Sequence, residues 1–193
     1  MSLEVLLVSD APDGSQVLLE GLRALDAKRV EVISVTDNVL KALTTTPADL
    51  IVLDVAKPSA SLLEQCAVVH EYCPKPVVCF SAVHDSHLIA RSVKAGISAF
   101  IVDGKTSSRV QSIIEVAMAR FKLCQSMKKE LLQVKDKLAE RAVIERAKGL
   151  LIEHKNMSED QAYKTLRKMA MDQGKKISVV AHEVCDVVAA LSA

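Results

Sequence analysis

The 193-residue chain has no tryptophan, and its aromatics are two Tyr and three Phe. So thin a set excludes an aromatic-rich β-sandwich and a stacking platform for single-stranded nucleic acid. Excess charge of one sign is also lacking: the net charge is +1, so the chain as a whole is no basic nucleic-acid coat. There is no CxxC pair and no metal-type spacing among Cys66, Cys73, Cys79, Cys124 and Cys185, which read as reduced thiols behaving as small hydrophobes. No 18-residue apolar run, signal peptide, internal repeat or low-complexity segment is found. These absences predict a cytoplasmic protein with no membrane segment. Half the residues are apolar, enough for a real core and too many for a disordered chain.

The near-neutral total hides an asymmetry. Residues 1–105 carry a net −4, residues 106–138 a net +4 and residues 139–193 a net +1. An acidic half followed by a basic connector suggests modules with different work.

Short aliphatic runs at 3–8, 30–35, 49–54, 75–81 and 98–102 alternate with helical patterns of about 10–14 residues. Strands apolar on both faces and separated by helices predict a five-stranded, doubly wound parallel α/β sheet of order 2-1-3-4-5. Its cleft opens between strands 1 and 3, whose C-terminal ends carry Asp10 and Asp54.

From Thr106 to about Glu140 there is neither Gly nor Pro. Val110, Ile113, Ala117, Arg120, Cys124, Met127, Leu131, Val134 and Leu138 recur at alternating spacings of three and four, the 3.5-residue seam of a coiled coil. Residues 124–138 lie too far past strand 5 to reach the sheet. Cys124, Met127, Leu131, Val134 and Leu138 are therefore expected to face a second copy in a homodimer. Beyond them, Ile144, Ala147 and Leu151 share a helical face that ends near Asn156. Ser158 and Gln161 then spell a capping box, Ala162, Leu166 and Met169 mark a second helix closed by Gly174, and Ile177, Val180, Ala181, Val184 and Val188 a third. The expected domains are 1–120, a coiled-coil linker at 121–138, and a helical domain at 139–193.

Asp10, Asp54, Ser81 and the Ala95-Gly96 pair make residues 3–120 resemble a response-regulator receiver domain. The resemblance implies Asp54 as candidate phosphoacceptor, with Asp10, Ser81 and Asp103 around the pocket. Carboxylates converging there could hold Mg²⁺ through Asp10 and Asp54. The chain departs from the pattern twice. Ser9-Asp10 stands for two adjacent acids, and Asp103-Gly104 stands for the usual Lys-Pro. Placing an acid where a cation should meet an incoming anion disfavours phosphoryl transfer. Lys105, two residues on, is expected to aim elsewhere. The receiver is thus expected to act mainly as a protein-interaction and dimerisation platform that requires no cofactor. A phosphorylation-switched regulator using Asp54 and binding RNA or DNA is the alternative, and an interaction scaffold a third reading. No complete catalytic arrangement is present, so an enzyme is not expected.

The string Ile144-Glu145-Arg146-Ala147-Lys148-Gly149-Leu150-Leu151-Ile152, with Ala162, Leu166-Arg167 and Val180-Ala181, resembles the ANTAR domain of AmiR- and NasT-type transcription antiterminators. Ala99–Gly104 and Ala117–Phe121 resemble the NasT branch. The resemblance implies binding to paired stem-loops in leader mRNA, and a nitrate/nitrite-sensing regulatory protein or a sensor kinase as partner. Arg141, Lys148 and Lys155 fall within about 40° on the first helix, a stripe able to track phosphates. Arg146, Arg167, Lys168, Lys175 and Lys176 are further candidate RNA cations. Tyr163 flanks the apolar face of the second helix and is assigned to packing; base stacking in an RNA loop would fall to it or to Arg planes. A helix-turn-helix DNA reader is less well matched, since residues 177–191 are largely apolar and carry no Arg or Lys.

Overall fold

A computed structural model of the chain describes residues 3–11, 14–103 and 105–191; Gly104 of the Asp103-Gly104 pair lies outside the described residues. The order is β1 (Leu3–Ser9), α1 (Gln16–Ala24), β2 (Ala27–Ser34), α2 (Val39–Thr45), β3 (Leu50–Asp54), α3 (Ala60–Tyr72), β4 (Val77–Ser81), α4 (Ser86–Lys94), β5 (Ala99–Val102), α5 (Ser107–Lys155), α6 (Glu159–Gln173) and α7 (Ile177–Leu191). The chain divides into two compact units, 1–125 and 126–193.

In the first unit all four strand pairs are parallel, in the order β2-β1-β3-β4-β5. The period-2 alternation of a strand sends neighbouring side chains to opposite faces. On β3, Ile51 and Leu53 therefore enter a core with Leu62, Cys66 and Val69 of α3 and Leu88 of α4. Leu50 and Val52 enter the opposite core with Leu18 and Leu22 of α1 and Val110, Ile114 and Ala117 of α5. Each Leu, Ile or Val among them taken fully out of water contributes about 1.5–3 kcal/mol. Two glycines set close approaches. A Cβ on Gly21 would stand 2.7 Å from Val110 Cγ1. Gly96 has φ +87°, and a Cβ there would meet the His70 ring at 2.4 Å.

Strand β2 starts three residues earlier than the hydrophobic pattern indicates. Ala27 and Arg29 already pair with Leu3 and Glu4 across a register irregularity. β2 is an edge strand, where charged Lys28 and Arg29 stay wet and blunt the edge, so charge conceals the strand in the sequence.

The second unit comprises the C-terminal part of α5 with α6 and α7. Helix α5 is continuous over 49 residues, with no break at 138/139. It stops before Asn156, which takes φ 52°. The Ser158–Gln161 capping box opens α6, and Gly174 closes it in the left-handed conformation at φ 62°. Ala147, Leu166, Ala170, Val180, Ala181 and Cys185 form the core.

Candidate functional site

The ends of β1, β3 and β4 bring the predicted pocket residues of the first unit together. Asp54 is buried at the end of β3. Its Oδ2 accepts a hydrogen bond from Ser15 Oγ at 2.8 Å, and Ser15 Oγ lies 3.1 Å from Ser9 Oγ. Asp10 is exposed, and its Oδ2 accepts from the Ala56 backbone N–H at 2.6 Å. Buried Ser81 donates to the Ala56 carbonyl at 2.7 Å. Asp103 is exposed in a left-handed turn (φ 57°), with its N–H donating to the Ser81 carbonyl at 3.2 Å.

Lys105 corrects the sequence reading. Its Nζ pairs with Asp54 Oδ1; it does not aim elsewhere. The left-handed Asp103 bends the chain just past β5, and a flexible four-carbon stem covers the two-residue offset. Ser15 carries no sequence signal as a pocket residue until its acceptor is known, and Ser9, which the sequence shows only as the residue standing for an acid, lies beside it.

As the described residues arrange it, the pocket holds no open pair of carboxylates for a hard divalent ion. Both Asp54 oxygens are engaged, one of them by a cation, and Asp10 caps a backbone N–H. Among the described residues no three carboxylate, His or Cys donors converge. Hard cations seek several free oxygen ligands.

Along α5, the predicted seam divides. Val110 and Ala117 are buried in the first unit's core, so the repeat serves the sheet there. Cys124 is exposed, as are Met127, Leu131, Val134 and Leu138, the last four more than half exposed.

In the second unit, Arg141, Arg146, Lys155, Arg167 and Lys168 are exposed. Lys175 Nζ contacts Glu183 Oε1 at 2.5 Å. Lys148 departs from the expected phosphate stripe. It is buried, and its Nζ contacts Glu145 Oε2 at 2.9 Å and Glu159 Oε1 at 2.7 Å. Donating hydrogen bonds to Glu159 and then to Glu145 raises the Lys148 pKa, and the same bond from Lys148 holds Glu159 below the usual glutamate range. Lys148 thereby ties the end of α5 to the first turn of α6. Tyr163 also departs from its assignment. It is 44% exposed and lies outside the core cluster. Beside it opens a cavity of about 390 Å³ lined by Lys148, Glu159, Asp160 and Tyr163.

Comparison with known proteins follows the same division. Residues 132–184 match the ANTAR domain model. A transcriptional regulatory protein, PdtaR of Mycobacterium tuberculosis strain H37Rv, is 29% identical over 138 residues, covering 72% of this chain and 67% of the relative. The second unit thus carries an ANTAR domain. The nitrate regulatory protein of Klebsiella oxytoca is 40% identical over 63 residues, which is 33% of this chain and 16% of that protein. Two solved structures share the receiver fold. NtrX from Brucella abortus aligns with a TM-score of 0.54 at 20% identity, over 67% of this chain and 29% of that one. The chemotaxis regulator CheY4 of Vibrio cholerae aligns with a TM-score of 0.52 at 16% identity, over 61% of this chain and 99% of that one.

The ANTAR match begins within α5 and ends within α7. The ANTAR domain therefore borrows the end of the long helix as its first helix. Gly149 sits on that helix with nothing within 4 Å of where a Cβ would stand, so its small size serves no close approach inside the chain. No described helix is long and apolar enough to cross a membrane.

Proposed function

We propose that this chain is an ANTAR response regulator that acts as a cytoplasmic, homodimeric transcription antiterminator. In this reading it binds paired stem-loops in a leader mRNA and so prevents a terminator hairpin from forming. The observation that carries the proposal is the ANTAR match on residues 132–184, in a unit whose α6 exposes Arg167 and Lys168. Arg141, Arg146, Lys155 and Lys175 are the further cations assigned to phosphates. The segment similar to a nitrate regulatory protein supports nitrate/nitrite assimilation genes as the target. The partner in this reading is a nitrate/nitrite-sensing regulatory protein or a sensor kinase. The receiver serves as a protein-interaction and dimerisation platform, an assignment supported by an Asp54 carboxylate whose two oxygens are already bonded.

The test compares filter binding to leader stem-loop pairs with binding to promoter DNA of the same operon, alongside read-through of the leader terminator during transcription in vitro. Salt-sensitive retention of the RNA with raised read-through is expected. Preferential retention of the DNA would overturn the reading.

A further inference from the structure

We infer that the face of α5 carrying Lys128, Lys135 and Arg146 is a track for the phosphodiester backbone of a bound RNA. The inference rests on the RNA-binding reading above and extends that surface up the connector, past residue 132, where the ANTAR match begins.

The three cations are aligned. At 100° per residue, Lys135 lies about 20° from Lys128, and Arg146, about five helical turns on, returns to the angle of Lys128. The line runs about 27 Å along one continuous helix. All three residues are exposed, and among the described residues none of them is in an ion pair. The sequence withholds partners as well: no Asp or Glu stands three or four residues from any of them in either direction. A solvated helix face is commonly knitted by pairs at that spacing, as Asp160 and Lys164 are on α6. Glu130, Asp136, Glu140 and Glu145 lie about 80° or more from the line, and Glu153 ends it.

Between the cations the helix is bare. Ala139, Ala142 and Gly149 are exposed and fall within about 60° of the line. Glycine is, after proline, the poorest helix former. Gly149 serves no packing inside the chain, since nothing lies within 4 Å of where its Cβ would stand. A position without a side chain lets an outside backbone come close. Cations set along so low a floor fit a continuous polyanion, whose condensed counterions they release. Phosphate contacts of this kind position a nucleic acid and read no sequence. Lys135 and Arg146 lie inside the matched residues and Lys128 before them, so the track leads directly into the ANTAR unit.

The test uses the full chain and a leader stem-loop pair, and reads the slope of log affinity against log salt. Lys128→Gln combined with Lys135→Gln should flatten the slope by about 1.4–1.8, two phosphate contacts at about 0.7–0.9 each, with sequence preference unchanged. Gly149→Gln removes no charge and meets nothing inside the chain. Its Tm should rise, because glutamine is the better helix former, while its RNA affinity falls. Wild-type slope and affinity in the double variant, or a Gly149→Gln protein with raised Tm and unaltered affinity, would overturn the track while leaving RNA binding in place. An unchanged RNA slope in the double variant with lost retention on immobilised polyglutamate would give the line to an acidic protein and overturn the track equally. A wild type that retains no leader RNA would instead overturn the RNA-binding reading and this inference with it.

Discussion

Lys105 closes over Asp54: its ammonium pairs with Oδ1 while the Ser15 hydroxyl donates to Oδ2. Lys105 thus restores the cation that Asp103-Gly104 lacks, but spends it on the carboxylate itself, and a carboxylate paired to a cation is a poorer nucleophile toward a phosphoryl donor. Acetyl phosphate with Mg²⁺ should therefore leave Asp54 essentially unlabelled, as read by intact mass. Asp54→Ala should retain RNA binding and cost about 1 kcal/mol of stability, because Lys105 is part-exposed and can rehydrate. Robust labelling that depends on Asp54 and alters RNA binding would refute the platform role.

Strand order was legible in the sequence because β3 and β4 are apolar on both faces, a pattern that only a covered parallel sheet explains. The ends of α5 and α6 were legible too, since Asn156, the Ser158–Gln161 box and Gly174 act locally. Lys105 was not, because its reach depends on the left-handed turn at Asp103. Nor was Lys148: within a helical stripe, a cation facing water and one facing Glu159 across a loop have the same spacing. Tyr163 failed for a related reason, since a position at the edge of an apolar face is decided by how closely the neighbouring helix approaches.

The thiols should sort by burial. Desolvation pushes Cys66 up to about 11 and Cys79 up to about 12, the latter helped by nearby Cys66 and Asp54. At pH 7.5 both thiols are therefore almost wholly protonated. Ellman's reagent should modify exposed Cys73 and Cys124 within minutes and reach Cys66 and Cys79 only on unfolding. Rapid reaction of Cys79 in the folded chain would contradict the packed sheet around β4.

Cys124 also reports on the proposed dimer. A core position of a parallel coiled coil brings identical residues face to face, near the roughly 4.4–6.8 Å Cα separation a disulfide needs. Mild oxidation with copper phenanthroline and oxygen should yield a covalent dimer that Cys124→Ser abolishes and Cys73→Ser does not. Leu131→Asp places a charge in the seam. Losing a packed leucine costs about 2–5 kcal/mol, so dimer dissociation should rise at least about 30-fold in sedimentation equilibrium. A wild type that sediments as a monomer at high micromolar concentration would remove the seam assignment.

The Lys148 bridges make a pH-dependent prediction whose sign follows from the two shifts. Glu159 is held below its ordinary 4.5, so its contribution is complete above that value and fades as pH falls through the lowered one. Lys148 is raised above 10.5, so its contribution is complete below that value and fades as pH rises through the raised one. The Tm difference between wild type and Glu159→Gln should accordingly be flat across neutral pH and shrink below about pH 4.5. RNA binding separates a bridging lysine from a phosphate ligand. Removing one cation that neutralises a phosphate lowers the salt slope by about 0.7–0.9, so Arg167→Ala should flatten the slope by about that amount. Lys148→Met should leave the slope unchanged while lowering Tm. A Lys148→Met protein with unaltered Tm and a flattened slope would return Lys148 to the phosphate stripe.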